Sequence, residues 1–274
     1  MINTQKTVER QRNAMQRVLF HQTIFGPIHS RRLGISLGIN LMPNDGKICS
    51  FDCVYCEAGY NAQGQGTTGV PTRSQVKAQL KLKLEQMHQA GEPLDVITFS
   101  GNGEPTLHPD FHHIVHDTIV LRDHYFPQAK VSVLSNSTML HLPKVVEALR
   151  SVDNNILKLD SAISPTLRLV NQPTSRRIQP EGLIQDLKQF TGQCVVQTIM
   201  LRGTHNGEPF DNTTDAELDA LVDAYRQIQP REVMVYGVDR ATPEQDVHRI
   251  PPEELMAIGK RLERDSGIPV KVNA

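Results

Sequence analysis

The chain alternates short runs of β-branched and other apolar residues with longer segments that have the apolar spacing of helices. We predict strands at residues 36–42, 95–100, 130–135, 155–160, 194–200 and 232–236. We predict helices at residues 73–90, 110–124, 142–151, 181–190, 214–228 and 252–264. Strands that are separated by helices usually pair in parallel, through right-handed crossovers. The pattern therefore predicts an α/β fold built from six strand–helix units.

Six units are too few to close an eight-stranded barrel. A doubly wound sheet and a partial barrel both agree with this number, and we favour a partial (β/α)6 barrel, TIM-like and open on one side. The length of 274 residues is sufficient for one domain of this kind. We assign residues 35–240 to the barrel core, residues 1–34 to an N-terminal extension and residues 241–274 to a C-terminal extension.

The charge of the chain is nearly balanced, with a formal net charge of −1 at pH 7. This balance argues against a protein that coats nucleic acid generally. No apolar run reaches the roughly 18 residues that a helix needs to cross a bilayer. Residues 1–20 also lack the apolar stretch of a secretory signal. We therefore expect a cytoplasmic protein with no membrane partner.

Three of the four cysteines, Cys49, Cys53 and Cys56, lie within eight residues of one another. So few cysteines do not form a disulfide scaffold, whereas clustered thiolates suit iron–sulfur clusters and zinc. Three thiolates on one loop could bind three irons of a cubane cluster and leave the fourth iron open, as catalytic zinc keeps an open position. Zinc held by these cysteines with Cys194 or a histidine is the alternative. Cys194 lies beside Val195 and is predicted to be a buried core thiol.

Glycines and polar residues follow the second and third predicted strands. Glycine allows the backbone to approach a ligand closely. A carboxylate that follows such glycines suits a cation better than a phosphate. We therefore consider the following residues as ligand contacts: Gly101, Asn102, Gly103, Glu104, Ser135 and Asn136.

Side-chain alternation in the fourth predicted strand places Lys158 and Asp160 on one face and two leucines on the other. The charged pair would then point into the barrel, at the carboxyl ends of the strands, where barrel enzymes build their active sites. A structural ion pair is the alternative. By the same argument Gln197 is a polar group of the lumen or a hydrogen-bonded core amide. Arg31 and Arg32 in a turn could clamp a phosphate or carboxylate, or form a solvated basic turn.

The spacing of the cysteines, with an aromatic residue before the last of them, resembles the signature of the radical S-adenosylmethionine (SAM) superfamily. The resemblance implies a 4Fe–4S cluster whose free iron binds the amino and carboxylate groups of SAM. It further implies that one electron from a reducing donor cleaves SAM and yields a 5′-deoxyadenosyl radical. That radical would act on an unidentified substrate, either a small molecule, a peptide or an RNA. The protein would position and shield the cofactor.

The same resemblance implies roles for particular residues. Residues 101–104 resemble the GGE-type motif that contacts the amino group of SAM. Tyr55 matches the aromatic position near the adenine. Other matching positions are Asp160 and Ser161 for the ribose and Ile199 and Tyr236 for the adenine. From their places in the predicted strands and turns, Ser135 and Asn136 are candidates for contact with SAM or substrate. On the same ground Lys158 is a candidate for a SAM or substrate carboxylate, and Arg31, Arg32 and Gln197 are candidates for the substrate.

Residues 25–60 and 98–110 resemble radical SAM proteins related to the wyosine-base synthases, which act on a guanine in transfer RNA. Those synthases hold a second cluster through further cysteines, and only Cys194 is left for that purpose here. Their reaction is therefore not expected of this chain. Three other functions stay open: an activase of a glycyl-radical enzyme, a radical enzyme that modifies a tRNA base, and a non-catalytic zinc-binding module.

Overall fold

The structure is a computed structural model, and it describes residues 17–30, 34–240 and 242–273. Arg31 and Arg32 lie outside the described residues, so their predicted role stays a prediction.

The described strands belong to one sheet system. They are β1 (Ile24–Ser30), β2 (Gly34–Ile39), β3 (Val96–Phe99), β4 (Lys130–Ser135), β5 (Asn154–Lys158), β6 (Val195–His205), β7 (Glu208–Asp211), β8 (Glu232–Gly237), β9 (Val247–Arg249) and β10 (Val270–Asn273). The α-helices are α1 (Arg73–Gln89), α2 (Phe111–Tyr125), α3 (Pro143–Ser151), α4 (Ser164–Asn171), α5 (Pro180–Leu187), α6 (Asp215–Ile228) and α7 (Pro252–Ser266).

The sheet is parallel over most of its width and stays open. Its strand order is β1-β2-β3-β4-β5-β6-β8-β10. All neighbours from β2 to β10 pair in parallel, and β1 pairs antiparallel with β2 at one edge. Among the described residues, the edge strands β1 and β10 do not pair with each other. The predicted α/β fold with an open, partial barrel is therefore confirmed.

Besides the edge strand β1, three features go beyond the sequence prediction. The C-terminal extension adds β10 as a seventh parallel strand beside β8. Strand β6 continues past residue 200 to His205, because β7 and β9 pair with its far end. Helix α4 fills a segment that has no predicted element. The strand β10, the strand β7 and the helix α4 are short, and short elements carry little periodic signal.

Apolar residues cover both faces of the sheet. Helix α1 buries a stripe at helical spacing against the outer face, formed by Val76, Leu80, Leu84 and Met87. On the inner face a smaller apolar cluster, formed by Leu134, Ile156, Val195 and Met234, fills the lumen. The interior of the partial barrel therefore has a packed apolar base.

No helix in the described ranges combines the length and hydropathy that a membrane crossing requires.

Candidate active site

A cavity of about 460 Å³ lies where the parallel strands end. This volume is within the range of small-molecule and cofactor sites. Most of the residues selected from the sequence line it: Cys49, Cys53, Tyr55, Cys56, Gly101, Gly103, Glu104, Ser135, Asn136, Lys158, Gln197, Ile199 and Tyr236. The fold thus brings together side chains that are separated by up to 187 positions in the chain.

A buried lysine stabilises the loop that carries Cys49, Cys53 and Cys56, here called the cysteine loop. Lys47 is only 1% exposed, and its Nζ donates to Asp52 Oδ1 at 3.0 Å and to the Gly59 carbonyl at 2.7 Å. Burial alone would lower the pKa of Lys47, but the negative charges that the three nearby cysteines carry as thiolates, together with Asp52, outweigh burial and raise the pKa. A lysine in a glycine-containing turn gives no sequence signal of such burial, so the role of Lys47 was not predicted.

Burial keeps two thiols of the loop in the protonated form. Burial is the main cause that raises the pKa of Cys49, and it also raises the pKa of Cys53, to about 11. These two thiols are therefore protonated at neutral pH, and metal binding there would release protons.

Three thiols of one loop line the same cavity, and thiolates are the ligands of iron–sulfur clusters. Within the described part of the chain, no three His, Cys, Asp or Glu side chains are arranged to hold a single metal ion. In a cubane each thiolate binds its own iron, so the thiols need not converge on one point. Cys194 is fully buried in the core just before β6 and does not line the cavity. The three cysteines of the loop and Cys194 therefore do not form one zinc site.

Glu104 is a buried carboxylate on the cavity wall. Its Oε2 accepts from the backbone N–H of Asn136 at 2.6 Å, and its Oε1 accepts from the N–H of Thr106 at 3.1 Å. Burial raises the pKa of Glu104, and these hydrogen bonds offset part of that effect. The carboxylate is thus held in place before any ligand binds.

Gly103 joins the cysteine loop to the Glu104 segment. It pairs with Ile48 in an isolated parallel bridge, and the Glu104 N–H donates to the Ile48 carbonyl at 3.0 Å. A Cβ atom at Gly103, where φ is +143°, would lie 1.9 Å from the Ile48 carbonyl oxygen. Only glycine therefore permits this approach.

Replacement of Gly103 by alanine is expected to displace the cysteine loop, because the Cβ would collide with backbone at Ile48. We expect a loss of about 1–3 kcal/mol in the free energy of unfolding, measured by urea denaturation of the apoprotein. The control is Gly182→Ala in α5, where a Cβ meets no atom within 4 Å. That change should be neutral or stabilise by up to about 1 kcal/mol. Equal stability of both variants would contradict the steric argument.

A charged pair lies beside the cavity. The ammonium Nζ of Lys158 is 3.7 Å from Asp160 Oδ1 and donates to the Tyr236 hydroxyl at 3.1 Å. It also lies over the rings of Tyr55 and Tyr236, at 5.2 and 5.6 Å from their centroids. Burial would lower the pKa of Lys158, but Asp160 and Tyr236 raise it, so the side chain stays charged.

Among the described residues, the carboxylate of Asp160 has four hydrogen-bonding or charged neighbours. Its Oδ2 accepts from the Tyr55 hydroxyl and from Asn171 Nδ2, the latter at 2.6 Å. Its Oδ1 accepts from the Ile199 N–H at 3.2 Å and faces Lys158. Asp160 therefore orients side chains that line the cavity rather than lining it.

Asn102, Asp160 and Ser161 are the selected residues that lie behind the cavity wall. Asn102 Nδ2 donates to the carbonyls of Phe20 and Pro43 at 2.9 and 2.8 Å. Ser161 Oγ donates to Glu217 Oε2 at 2.7 Å. All three are buried and bonded to protein, and their expected contacts with SAM stay predictions.

Sequence reasoning missed two further groups. Asn171, at the end of α4, donates through Nδ2 to Cys53 Sγ at 3.4 Å, and α4 itself had no sequence signal. At the rim, Arg240 pairs with Glu57 at 2.6 Å. Charged residues in connecting segments are common on surfaces, so their place at the cavity could be found only from the fold.

The Radical SAM superfamily model matches residues 44–216, which include the three cysteines and most of the cavity wall. The UPF0026 protein slr1464 of Synechocystis sp. is 32% identical over 229 residues, which are 80% of this chain and 77% of that protein. A Brachyspira hyodysenteriae protein named GTPase Obg is 27% identical over 252 residues, which are 91% of this chain. The chain spans only 35% of the length of that protein.

Solved structures share the fold. A radical SAM methyltransferase from Sphaerobacter thermophilus has a TM-score of 0.63 at 17% identity, with 87% of this chain and 65% of that chain covered. A structure of TYW1 with a lysine-pyruvate adduct bound has a TM-score of 0.53 at 15% identity, with 84% and 74% covered.

The superfamily uses a 4Fe–4S cluster and SAM, and the match covers more than half of the chain. This chain therefore belongs to the Radical SAM superfamily and to the UPF0026 protein family.

Proposed function

We propose that Cys49, Cys53 and Cys56 hold the 4Fe–4S cluster and that the adjoining cavity binds SAM, whose reductive cleavage yields a 5′-deoxyadenosyl radical. The observation that carries the proposal is that three clustered thiols, a buried carboxylate and a charged lysine line one cavity. A cavity of about 460 Å³ supports a cofactor of the size of SAM.

The residues around the cofactors have separate tasks. When bound, the cluster supplies the electron that cleaves the sulfonium of SAM. Glu104 accepts hydrogen bonds from the amino group of SAM, and the ammonium of Lys158 neutralises a carboxylate of SAM or substrate. Tyr55, Ile199 and Tyr236 form walls that exclude water from the reacting atoms.

The rest of the cavity is the proposed substrate space. Gln197 lines it and contacts Met234 Sδ at 3.7 Å, so its amide keeps hydrogen-bonding capacity for a substrate. A cluster of this kind needs a reducing compartment and an electron donor, which supports the cytoplasm as its location.

Anaerobic reconstitution of the purified chain tests the proposal. We expect about four irons and four sulfides per chain, and production of 5′-deoxyadenosine when dithionite and SAM are added. The same assay with deuterated candidate substrates identifies the substrate, because deuterium then appears in 5′-deoxyadenosine. Zinc without iron or sulfide, or a cluster that leaves SAM intact, would overturn the proposal.

The change Glu104→Gln is expected to raise the dissociation constant of SAM about 10- to 100-fold. Its physical reason is that hydrogen bonds to a charged group contribute roughly 1.5–3 kcal/mol, and 1.4 kcal/mol is tenfold in affinity. The measurement is equilibrium dialysis of SAM against reconstituted protein of known iron content.

The matched control is Glu147→Gln on α3. Glu147 does not line this cavity, its side chain is 73% exposed beside His112, and exposed pairs contribute little. We expect the affinity of this variant for SAM to stay close to that of the unchanged protein. An equal loss of affinity in both variants would contradict the role of Glu104.

A further inference from the structure

Asn171 connects the cysteine loop to the polar groups behind the cavity wall. It is 1% exposed, and its Nδ2 lies 3.4 Å from Cys53 Sγ, 3.3 Å from the Tyr55 hydroxyl and 2.6 Å from Asp160 Oδ2. Its backbone carbonyl accepts from the N–H of Asp52 at 2.9 Å, which fastens the same residue to the middle of the loop. One side chain thus contacts the thiol of Cys53, the hydroxyl of Tyr55 and the carboxylate of Asp160.

The orientation of the Asn171 amide is determined by its neighbours. Asp160 Oδ2 lies close to Nδ2, and a flipped amide would present an oxygen to that carboxylate. The other amide atom, Oδ1, is buried and has no hydrogen-bond partner among the described residues. A buried acceptor without a donor costs free energy, and an apolar side chain of similar size would avoid this cost.

A donor to a sulfur ligand stabilises the reduced form of an iron–sulfur cluster, which carries one more negative charge. Hydrogen bonds to the sulfurs are therefore among the features that determine the reduction potential of such clusters. Asn136 Nδ2 makes a longer contact of 3.5 Å with Cys49 Sγ, but Asn136 also lines the cavity, where a ligand contact would complicate its effect. Asn171 does not line the cavity, so its effect on the sulfur can be measured separately.

We propose that Asn171 is a positioning residue that raises the reduction potential of the cluster through Cys53 and orients the Tyr55–Asp160 pair. This inference rests on the proposed function, because it requires Cys53 to be a cluster ligand. The redox step is the addition of one electron from an external one-electron donor to the oxidised cluster. No covalent bond forms or breaks in that step.

The experiment compares the reconstituted chain with Asn171→Leu and Asn171→Asp. The leucine removes the donor at nearly constant volume, and the aspartate replaces the donor by an acceptor. We expect both variants to keep iron and sulfide near the unchanged level and to shift the midpoint potential to more negative values. The measurement is a dithionite titration with redox mediators, followed by the EPR signal of the reduced cluster.

The matched control is Asn155→Leu. Asn155 is a buried asparagine on β5, its Nδ2 has no hydrogen-bond partner in the part of the chain that the structure describes, and it does not line the cavity. We expect its midpoint potential to be unchanged. Unchanged potentials in both Asn171 variants, an equal shift in Asn155→Leu, or loss of iron from both Asn171 variants would overturn the inference. Failure of the unchanged chain to form a cluster would instead overturn the proposed function.

Discussion

Replacement of Cys53 by alanine is expected to abolish stable cluster formation and, with it, production of 5′-deoxyadenosine from SAM. Cys53 is the central thiol of the loop and only 7% exposed. Its loss would leave two thiolates for a cluster that needs three protein ligands to keep a single open iron. The measurement combines iron and sulfide content after anaerobic reconstitution with chromatography of 5′-deoxyadenosine.

Cys194→Ala provides the control for this prediction. The Cys194 thiol is buried in the core, and burial raises its pKa to about 12, so it is protonated at neutral pH. We expect iron content and 5′-deoxyadenosine production close to those of the unchanged chain. Full production by Cys53→Ala, or loss of the cluster in Cys194→Ala at normal stability, would show that the ligands are assigned wrongly.

Replacement of Asp160 by alanine is expected to cause the largest loss of stability among these variants, about 3–5 kcal/mol in the apoprotein. Asp160 is 1% exposed, and its removal leaves the partly buried ammonium of Lys158 without its carboxylate partner. It also leaves Tyr55 and Asn171 without their main acceptor. Urea denaturation of the apoprotein measures the free energy of unfolding. In the reconstituted variant we also expect a lower affinity for SAM, because the cavity wall loses the hydrogen bonds that Asp160 accepts.

The comparison for Asp160 is Asp123→Ala. Asp123 also pairs with a cation, Arg122, at 2.6 Å, but its side chain is 60% exposed. Exposed ion pairs contribute about 0–1 kcal/mol, so this variant should lose little stability. A second variant, Lys158→Met with Asp160→Asn, removes both charges and is expected to recover part of the loss. Similar losses in Asp160→Ala and Asp123→Ala would contradict the argument from burial.

Periodicity and the cysteine spacing predicted the open α/β sheet and the superfamily. The six strands were found because runs of apolar residues in buried parallel strands are long and bounded by helices. Side-chain alternation also predicted that Lys158 and Asp160 approach each other, and they lie 3.7 Å apart. The alternation did not predict that Asp160 lies behind the cavity wall. Strand β5 ends at Lys158, so strand alternation no longer determines the direction of the Asp160 side chain.

The sequence by itself therefore determined the fold class, the thiol cluster and most residues that line the cavity. These depend on local spacing, which is visible along the chain. The tertiary structure alone decided which polar groups face the cavity and which support it. Lys47 and Asn171 approach the cysteine loop through contacts that depend on how a turn and a short helix pack. Their hydrogen bonds form only when distant segments meet, so no local pattern could have indicated them.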